Sequence, residues 1–198
     1  MIERALISVY DKSGLEELAA ALAGYGVEII SSGGTARRIR EIGYDRLVEV
    51  SDYTGHPESP GGLVKTLHPK VHGGLLLDSD RPDHRRWMEE NGVKPIDMVV
   101  CNLYPFEEVV AGGADLIKAG DNIDIGGPAM TRSAAKAALL YDRVCIVTDP
   151  AQYPEVVETL KGNGGELTTE LRRRYAHLAF KRTAGYDSAI VSYLEENL

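Results

Sequence analysis

Residues 5–35, ALISVYDKSGLEELAAALAGYGVEIISSGGT, decide the architecture. Ala5 to Val9 is a short apolar run, Asp11-Lys12-Ser13-Gly14 interrupts it, and Leu15, Leu18, Ala19 and Leu22 then recur at helical spacing. Gly24 and Gly26 bracket the exit of that helix. Val27 to Ile30 is a second β-branched run, and it ends in Ser31-Ser32-Gly33-Gly34-Thr35. Strand, helix and strand in this order predict parallel pairing through a crossover helix. The loops after the strands then share one rim, where open α/β sheets bind their ligands.

The same alternation continues outward. Ala36, Ile39 and Ile42 mark a second helix, and Leu47 to Val50 a short third strand. Met98 to Cys101 reads as a buried strand with Asn102-Leu103-Tyr104-Pro105 at its carboxyl end, and Val144 to Val147 repeats the pattern before Thr148-Asp149-Pro150. Pro128, after Gly126-Gly127, suits the first turn of a helix through Ala129, Arg132, Ala135 and Lys136, whose amino end would face the rim. From Thr168 onward, Leu171, Tyr175, Leu178 and Ala179 mark one helix face. Tyr186, Ile190 and Leu194 mark another, and Gly185 is expected to separate the two. Lys161 to Gly165 is the clearest loop; no linker divides the chain and no repeat recurs. The expectation is a single three-layer α/β domain over residues 1–198 with a mostly parallel central sheet.

Composition narrows the function classes. The 198 residues carry a formal charge of −8, which argues against a nucleic-acid-binding surface, so any bound anion must be met by local lysines. Cys101 and Cys145 lie far apart without near partners, which argues against a disulfide framework or zinc knuckle and for a reducing cytoplasm. Met1-Ile2-Glu3-Arg4 lacks a signal-peptide layout, and no apolar run is long enough to span a bilayer.

Four clusters carry the chemistry. Ser31-Ser32-Gly33-Gly34-Thr35, between a strand and a helix, offers backbone amides and hydroxyls to a phosphate; the same residues also serve as plain turn formers and N-caps. Asp11-Lys12-Ser13 adds a cation on the same rim, and together they favour a phosphate monoester. Lys65-Thr66-Leu67-His68-Pro69-Lys70-Val71-His72-Gly73-Gly74 packs two lysines, two imidazoles and a hydroxyl into what reads as a loop. Gly61-Gly62-Leu63-Val64-Lys65-Thr66 is no P-loop, because Val64 stands where a glycine must precede the lysine. His68 and His72 are four apart, but the metalloprotease glutamate is missing, Pro69 would interrupt a helix and Lys70 would repel a metal; two ordinary hydrogen-bonded histidines are expected. In Asn122-Ile123-Asp124-Ile125-Gly126-Gly127-Pro128, Asp124 stands at a helix start, as a cap or as a functional acid. Tyr104 beside Pro105 reads either as packing or as a working phenol, and Lys136 either as an exposed helix residue or as part of a site.

With these strings in hand, the chain resembles the IMP cyclohydrolase domain of the bifunctional AICAR transformylase/IMP cyclohydrolase family. Ile7 to Gly14, Ser32 to Ala36, Val64 to Gly74, Cys101 to Phe106, Ile123 to Pro128, Arg132 to Lys136 and Thr183 to Asp187 match in family order across nearly the whole chain. The Lys65–Gly74 and Asn122–Lys136 blocks are the specific ones; the serine-glycine turn is shared with methylglyoxal-synthase-like folds. Two positions depart: Leu63 where many relatives have arginine, and Ala137 where asparagine is usual.

The resemblance implies a methylglyoxal-synthase-like fold and closure of 5-formamidoimidazole-4-carboxamide ribonucleotide (FAICAR) to IMP with loss of water, without metal or redox cofactor. Carried over by position, Lys65, Tyr104, Asp124 and Lys136 are the expected catalytic set. Ser8, Asp11, Lys12, Ser13, Ser32, Gly33, Gly34, Thr35, Thr66, Cys101, Asn102, Ile125 and Gly126 are the expected substrate-binding residues. If Leu198 is the natural end, formyl transfer belongs to a separate upstream enzyme; a homodimer is compatible with the sequence, which does not specify the oligomeric state. Two competitors remain at this level. A methylglyoxal-synthase-like lyase should lack the two specific blocks, and a nucleotide-sensing module of the same fold would not need the four catalytic positions to converge.

Overall fold

The computed structural model describes all residues from Met1 to Leu198. In chain order the elements are β1 (Arg4–Val9), α1 (Leu15–Gly24), β2 (Glu28–Ser31), α2 (Gly33–Glu41), β3 (Leu47–Glu49) and α3 (Val50–Thr54). They continue with α4 (Pro69–Leu76), α5 (Pro82–Glu90), β4 (Met98–Asn102), α6 (Phe106–Ala111), α7 (Leu116–Asp121) and α8 (Gly126–Tyr141). The chain finishes with β5 (Cys145–Val147), α9 (Tyr153–Gly162) and α10 (Thr169–Asn197). All five strands are parallel, in the order β3-β2-β1-β4-β5. The expected mostly parallel sheet is therefore wholly parallel.

Strand alternation sorts the core into two layers. Ala5, Ile7 and Val9 of β1 face one side with Leu15, Leu18 and Leu22 of α1 and Val156 and Leu160 of α9. Leu6 and Ile30 face the other with Val71 and Leu75 of α4 and the alanines 134, 135, 137 and 138 of α8. Each fully buried leucine or isoleucine in these layers stabilises the fold by about 1.5–3 kcal/mol. Helix α10 contributes to both, through Leu171 and Tyr175 to the first and through Ala176, Ala179 and Tyr186 to the second.

Three expectations need correction. Gly185 does not divide the last helix, which runs unbroken from Thr169 to Asn197 with Thr168 capping its start through Oγ1 and the Leu171 N–H. A helical glycine costs only about 1 kcal/mol relative to alanine, less than the burial of Tyr175 and Tyr186 on either side contributes. Pro69 does not interrupt a helix but starts one: it is the first residue of α4, with His68 as N-cap accepting the Lys70 N–H on Nδ1. Half of the expected 65–74 loop is thus helix, and Gly73 and Gly74 lie inside it.

The strand order also locates the working end. The chain leaves β1 toward β2 and β3 on one side, then returns to lay β4 and β5 on the other. The order reverses between β1 and β4, and at such a switch point the loops diverge and leave a crevice beyond the carboxyl ends of the strands.

Candidate active site

A cleft of about 300 Å³ opens at that switch point, between the ends of β1 and β4. Ser8 and Val9 of β1 and Cys101 and Asn102 of β4 form its floor, the start of α2 one wall, and the start of α8 the other. Residues 61–66 close it from a third side.

The α2 wall gathers positive charge. Ser32 is the N-cap, yet its hydroxyl makes no capping bond, and the buried Oγ has no partner in the protein. Lys12 reaches the same place from the β1 loop: its ammonium donates to the Tyr10 carbonyl at 3.1 Å and lies 3.9 Å from where a Cβ on Gly34 would stand. Lys65 arrives from the opposite segment, its Nζ 3.3 Å from the corresponding point on Gly33 and 3.5 Å from that on Gly62. A helix amino terminus carries a partial positive charge and free N–H groups. Two ammonium groups and an unused hydroxyl at that terminus make a cradle for a phosphate.

The α8 wall carries the acid. Asp124 Oδ1 accepts the Gly127 N–H at 2.8 Å, so the carboxylate caps the helix and lines the cleft at once. Of the two roles weighed from the sequence, the bond to Gly127 fills that of helix cap. Burial raises the Asp124 pKa above the usual aspartate value; the backbone N–H groups of Gly127 and Tyr104 and the Lys65 charge pull it back down. Tyr104 stands half-exposed at the mouth, its ring edge-on to Tyr10 with centroids 5.7 Å apart. Burial and the negative charge of Asp124 hold its phenol above the ordinary tyrosine value. Thr66 is buried with its Oγ1 2.7 Å from where a Cβ on Gly126 would stand, so the 61–66 segment touches the first turn of α8.

Some expected residues spend their side chains on the protein itself, whether or not they line the cleft. Asn102 spends its whole side chain on the β1 loop: Oδ1 accepts the Tyr10 and Asp11 N–H groups at 2.7 and 2.9 Å, and Nδ2 donates to the Asp11 carbonyl at 2.8 Å. Thr35 ties α2 to the end of β1, accepting the Val9 N–H at 3.1 Å and donating to the Val9 carbonyl at 3.0 Å. Asp11 and Ser13 bond each other, through Ser13 N–H and Oγ to Asp11 Oδ1, and neither lines the cleft. The Asp11 pKa is lowered chiefly by those two bonds. Gly33 contributes its backbone at the Lys65 contact without lining the cleft.

Lys136 does not join the others within this chain. It is exposed on α8 and outside the cleft lining, six residues beyond Met130, which at the rise of a helix puts its Cα about 9 Å further along α8 than the last lining residue. The two histidines are structural: His68 caps α4, and His72 Nδ1 meets Ser133 Oγ at 2.9 Å, joining α4 to α8. Sequence reasoning missed Tyr10 and Asp121, which line the cleft. Tyr10 carried a signal, an aromatic residue placed directly at the end of a predicted strand. Asp121, at the end of a short helix with one buried residue, carried none.

Comparison with known proteins sets this geometry in a family. Residues 14–129 match the family model for the MGS-like domain. The chain belongs to the MGS-like domain family. Residues 134–198 of this MGS-like protein match a second family model, the AICARFT/IMPCHase bienzyme. The gap between the two matches falls inside α8, which runs through it without a break. Among similar proteins, the bifunctional purine biosynthesis protein PurH of Magnetococcus marinus is 53% identical over 194 residues, 98% of this chain and 36% of that protein. PurH of Persephonella marina is 53% identical over 196 residues, 99% of this chain and 37% of that protein. The MGS-like chain thus spans little more than a third of the length of these curated relatives. In the crystal structure of ForH, the matching chain is 32% identical with a TM-score of 0.83, covering 98% of this chain and 100% of that one. No helix of the MGS-like protein is long and apolar enough to cross a membrane.

Proposed function

We propose that residues 1–198 act as one IMP cyclohydrolase unit that closes FAICAR to IMP with release of water, in the cytoplasm. The observation that carries the reading is the cleft itself: a phosphate cradle of Lys12, Lys65 and the unpartnered Ser32 hydroxyl on one wall, and Asp124 with Tyr104 across from it. The likeness to PurH proteins and to the bienzyme family model supports the same reading.

The reaction needs a weakly nucleophilic carboxamide nitrogen to attack a formyl carbon. As the N–C bond forms, the formyl oxygen becomes an alkoxide and the nitrogen must lose a proton. Asp124 is placed to accept that proton: burial raises its pKa and so strengthens it as a base, while two backbone donors and Lys65 pull the other way and favour its carboxylate. Lys65, between the cradle and Asp124, supplies positive charge to the alkoxide. The alkoxide leaves as water by taking two protons, one from the Tyr104 phenol, which burial keeps protonated, and one returned by Asp124. The formamide nitrogen gives up its proton to the Tyr104 phenolate as the ring double bond forms, which returns both side chains to their starting states. No oxidation state changes, so the chemistry asks for no redox group. The substrate is the product of a formyl transfer, which places a formyl-transfer enzyme directly upstream. Lys136 has no part in these steps, since it is not among the residues that line the cleft.

The test follows IMP formation from the formamido nucleotide by absorbance. Wild type should close the ring well above the spontaneous rate, and Lys65→Ala should lose at least about a hundredfold. Tight nucleotide binding without closure would point instead to a sensing module.

A further inference from the structure

We propose that Tyr186 of α10, 62 residues from Asp124 in the chain, is the positioning residue that aims the Asp124 carboxylate; this rests on the ring-closure reading above. Asp124 lies in the short segment between α7 and α8, where no helix or strand ladder holds the backbone. Its carboxylate is tied forward to Gly127. Its own N–H points the other way and donates to Tyr186 Oη at 2.8 Å. The same hydroxyl donates to the Asn122 carbonyl at 3.3 Å, so one phenol accepts from one residue and donates to another across 122–124. The Tyr186 ring is fully buried and outside the cleft lining.

The ring also meets the segment that follows Tyr104. The ring packs edge-on to Phe106, centroids 6.1 Å apart, and Phe106 opens α6 two residues after Tyr104. Tyr186 therefore bonds the segment that carries the acid and packs on Phe106 of the segment that carries the phenol. The unbroken course of α10 past Gly185 delivers it there. Without the hydroxyl, the Asp124 N–H and the Asn122 carbonyl lose their partner, the 122–124 segment gains freedom, and the carboxylate loses its aim while the α2 cradle is untouched.

Tyr186→Phe removes one oxygen and keeps the ring. The expected result is a folded protein with unchanged KM for the formamido nucleotide and kcat reduced about ten- to a hundredfold. In an Asp124→Asn background the second substitution should add nothing, because the residue it positions has already lost its function. Wild-type kcat in Tyr186→Phe, or an equal fold-loss in both backgrounds, would overturn the proposal. If Tyr186→Phe fails to fold, amide exchange on the wild type replaces it: the Asp124 N–H should be protected like the core amides of α8, and exchange as fast as that of the exposed Gly164 N–H would overturn the proposal. A wild type that closes no ring removes the reading on which the proposal rests, whereas an active wild type with an unaffected variant removes Tyr186 alone.

Discussion

Two hydroxyls three residues apart, Ser32 and Thr35, do opposite jobs. Thr35 bonds both the N–H and the carbonyl of Val9, whereas Ser32 bonds nothing in the protein. Thr35→Ala should therefore destabilise the fold by about 1–3 kcal/mol, read by urea denaturation. Ser32→Ala should leave the denaturation midpoint in place and weaken binding of inosine monophosphate. Asp124 gives a second residue-scale test. The Lys65 charge favours its carboxylate, so Lys65→Gln should raise the Asp124 pKa further above that of an ordinary aspartate, and carbon-detected NMR titration should follow the shift. At this scale the sequence was legible where chemistry and position coincide: a lysine or serine after a strand end falls on the rim of a parallel sheet. It was not legible where a side chain works sideways. Nothing in the letters says that Asn102 is consumed by residues 10 and 11, or that Asp11 and Ser13 satisfy each other.

Helices α4 and α10 each contain a glycine in mid-course, and the two should answer to the same substitution with opposite signs. A Cβ on Gly74 of α4 would stand 2.6 Å from the Lys94 carbonyl oxygen and 3.1 Å from Ile96, so Gly74→Ala forces backbone apart and should cost about 1–3 kcal/mol. Gly185 of α10 meets nothing within 4 Å, and Gly185→Ala should stabilise the protein by about 0.5–1 kcal/mol. Thermal denaturation of the pair reads both signs. This contrast also explains which elements the sequence disclosed. The strands announced themselves as β-branched runs because both faces of a parallel sheet are covered. Helices α5 and α7 each bury a single residue, Met88 and Ala119, so neither leaves an apolar stripe to read. Gly185 misleads because a local preference worth about 1 kcal/mol is set against packing that only the fold reveals.

Across the whole molecule, function is drawn from distant parts of the chain. The cleft takes its anion cradle from the first quarter, Lys65 and Thr66 from the segment before α4, Tyr104 from the end of β4, and Asp124 from the start of α8. Lys136 is exposed on α8 and outside the lining of that cleft, about 9 Å of helical rise beyond Met130, its last lining residue on that helix. Lys136→Ala should then leave kcat within about twofold of wild type, allowing for the small effect expected of an exposed substitution. Loss of activity that returns on mixing with Lys65→Ala would instead show that a second copy delivers it.

The strand order has a consequence for life at high concentration. A sheet of five strands has two rims of unpaired backbone groups, each able to recruit a neighbouring chain. At one rim β3 is only three residues long, and Glu49 on it is engaged by Arg40 of α2. At the other, α10 packs along β5. The C-terminal helix that carries Tyr186 is thus also a guard: a chain shortened before Thr169 would bare β5 and invite sheet-to-sheet stacking into aggregates.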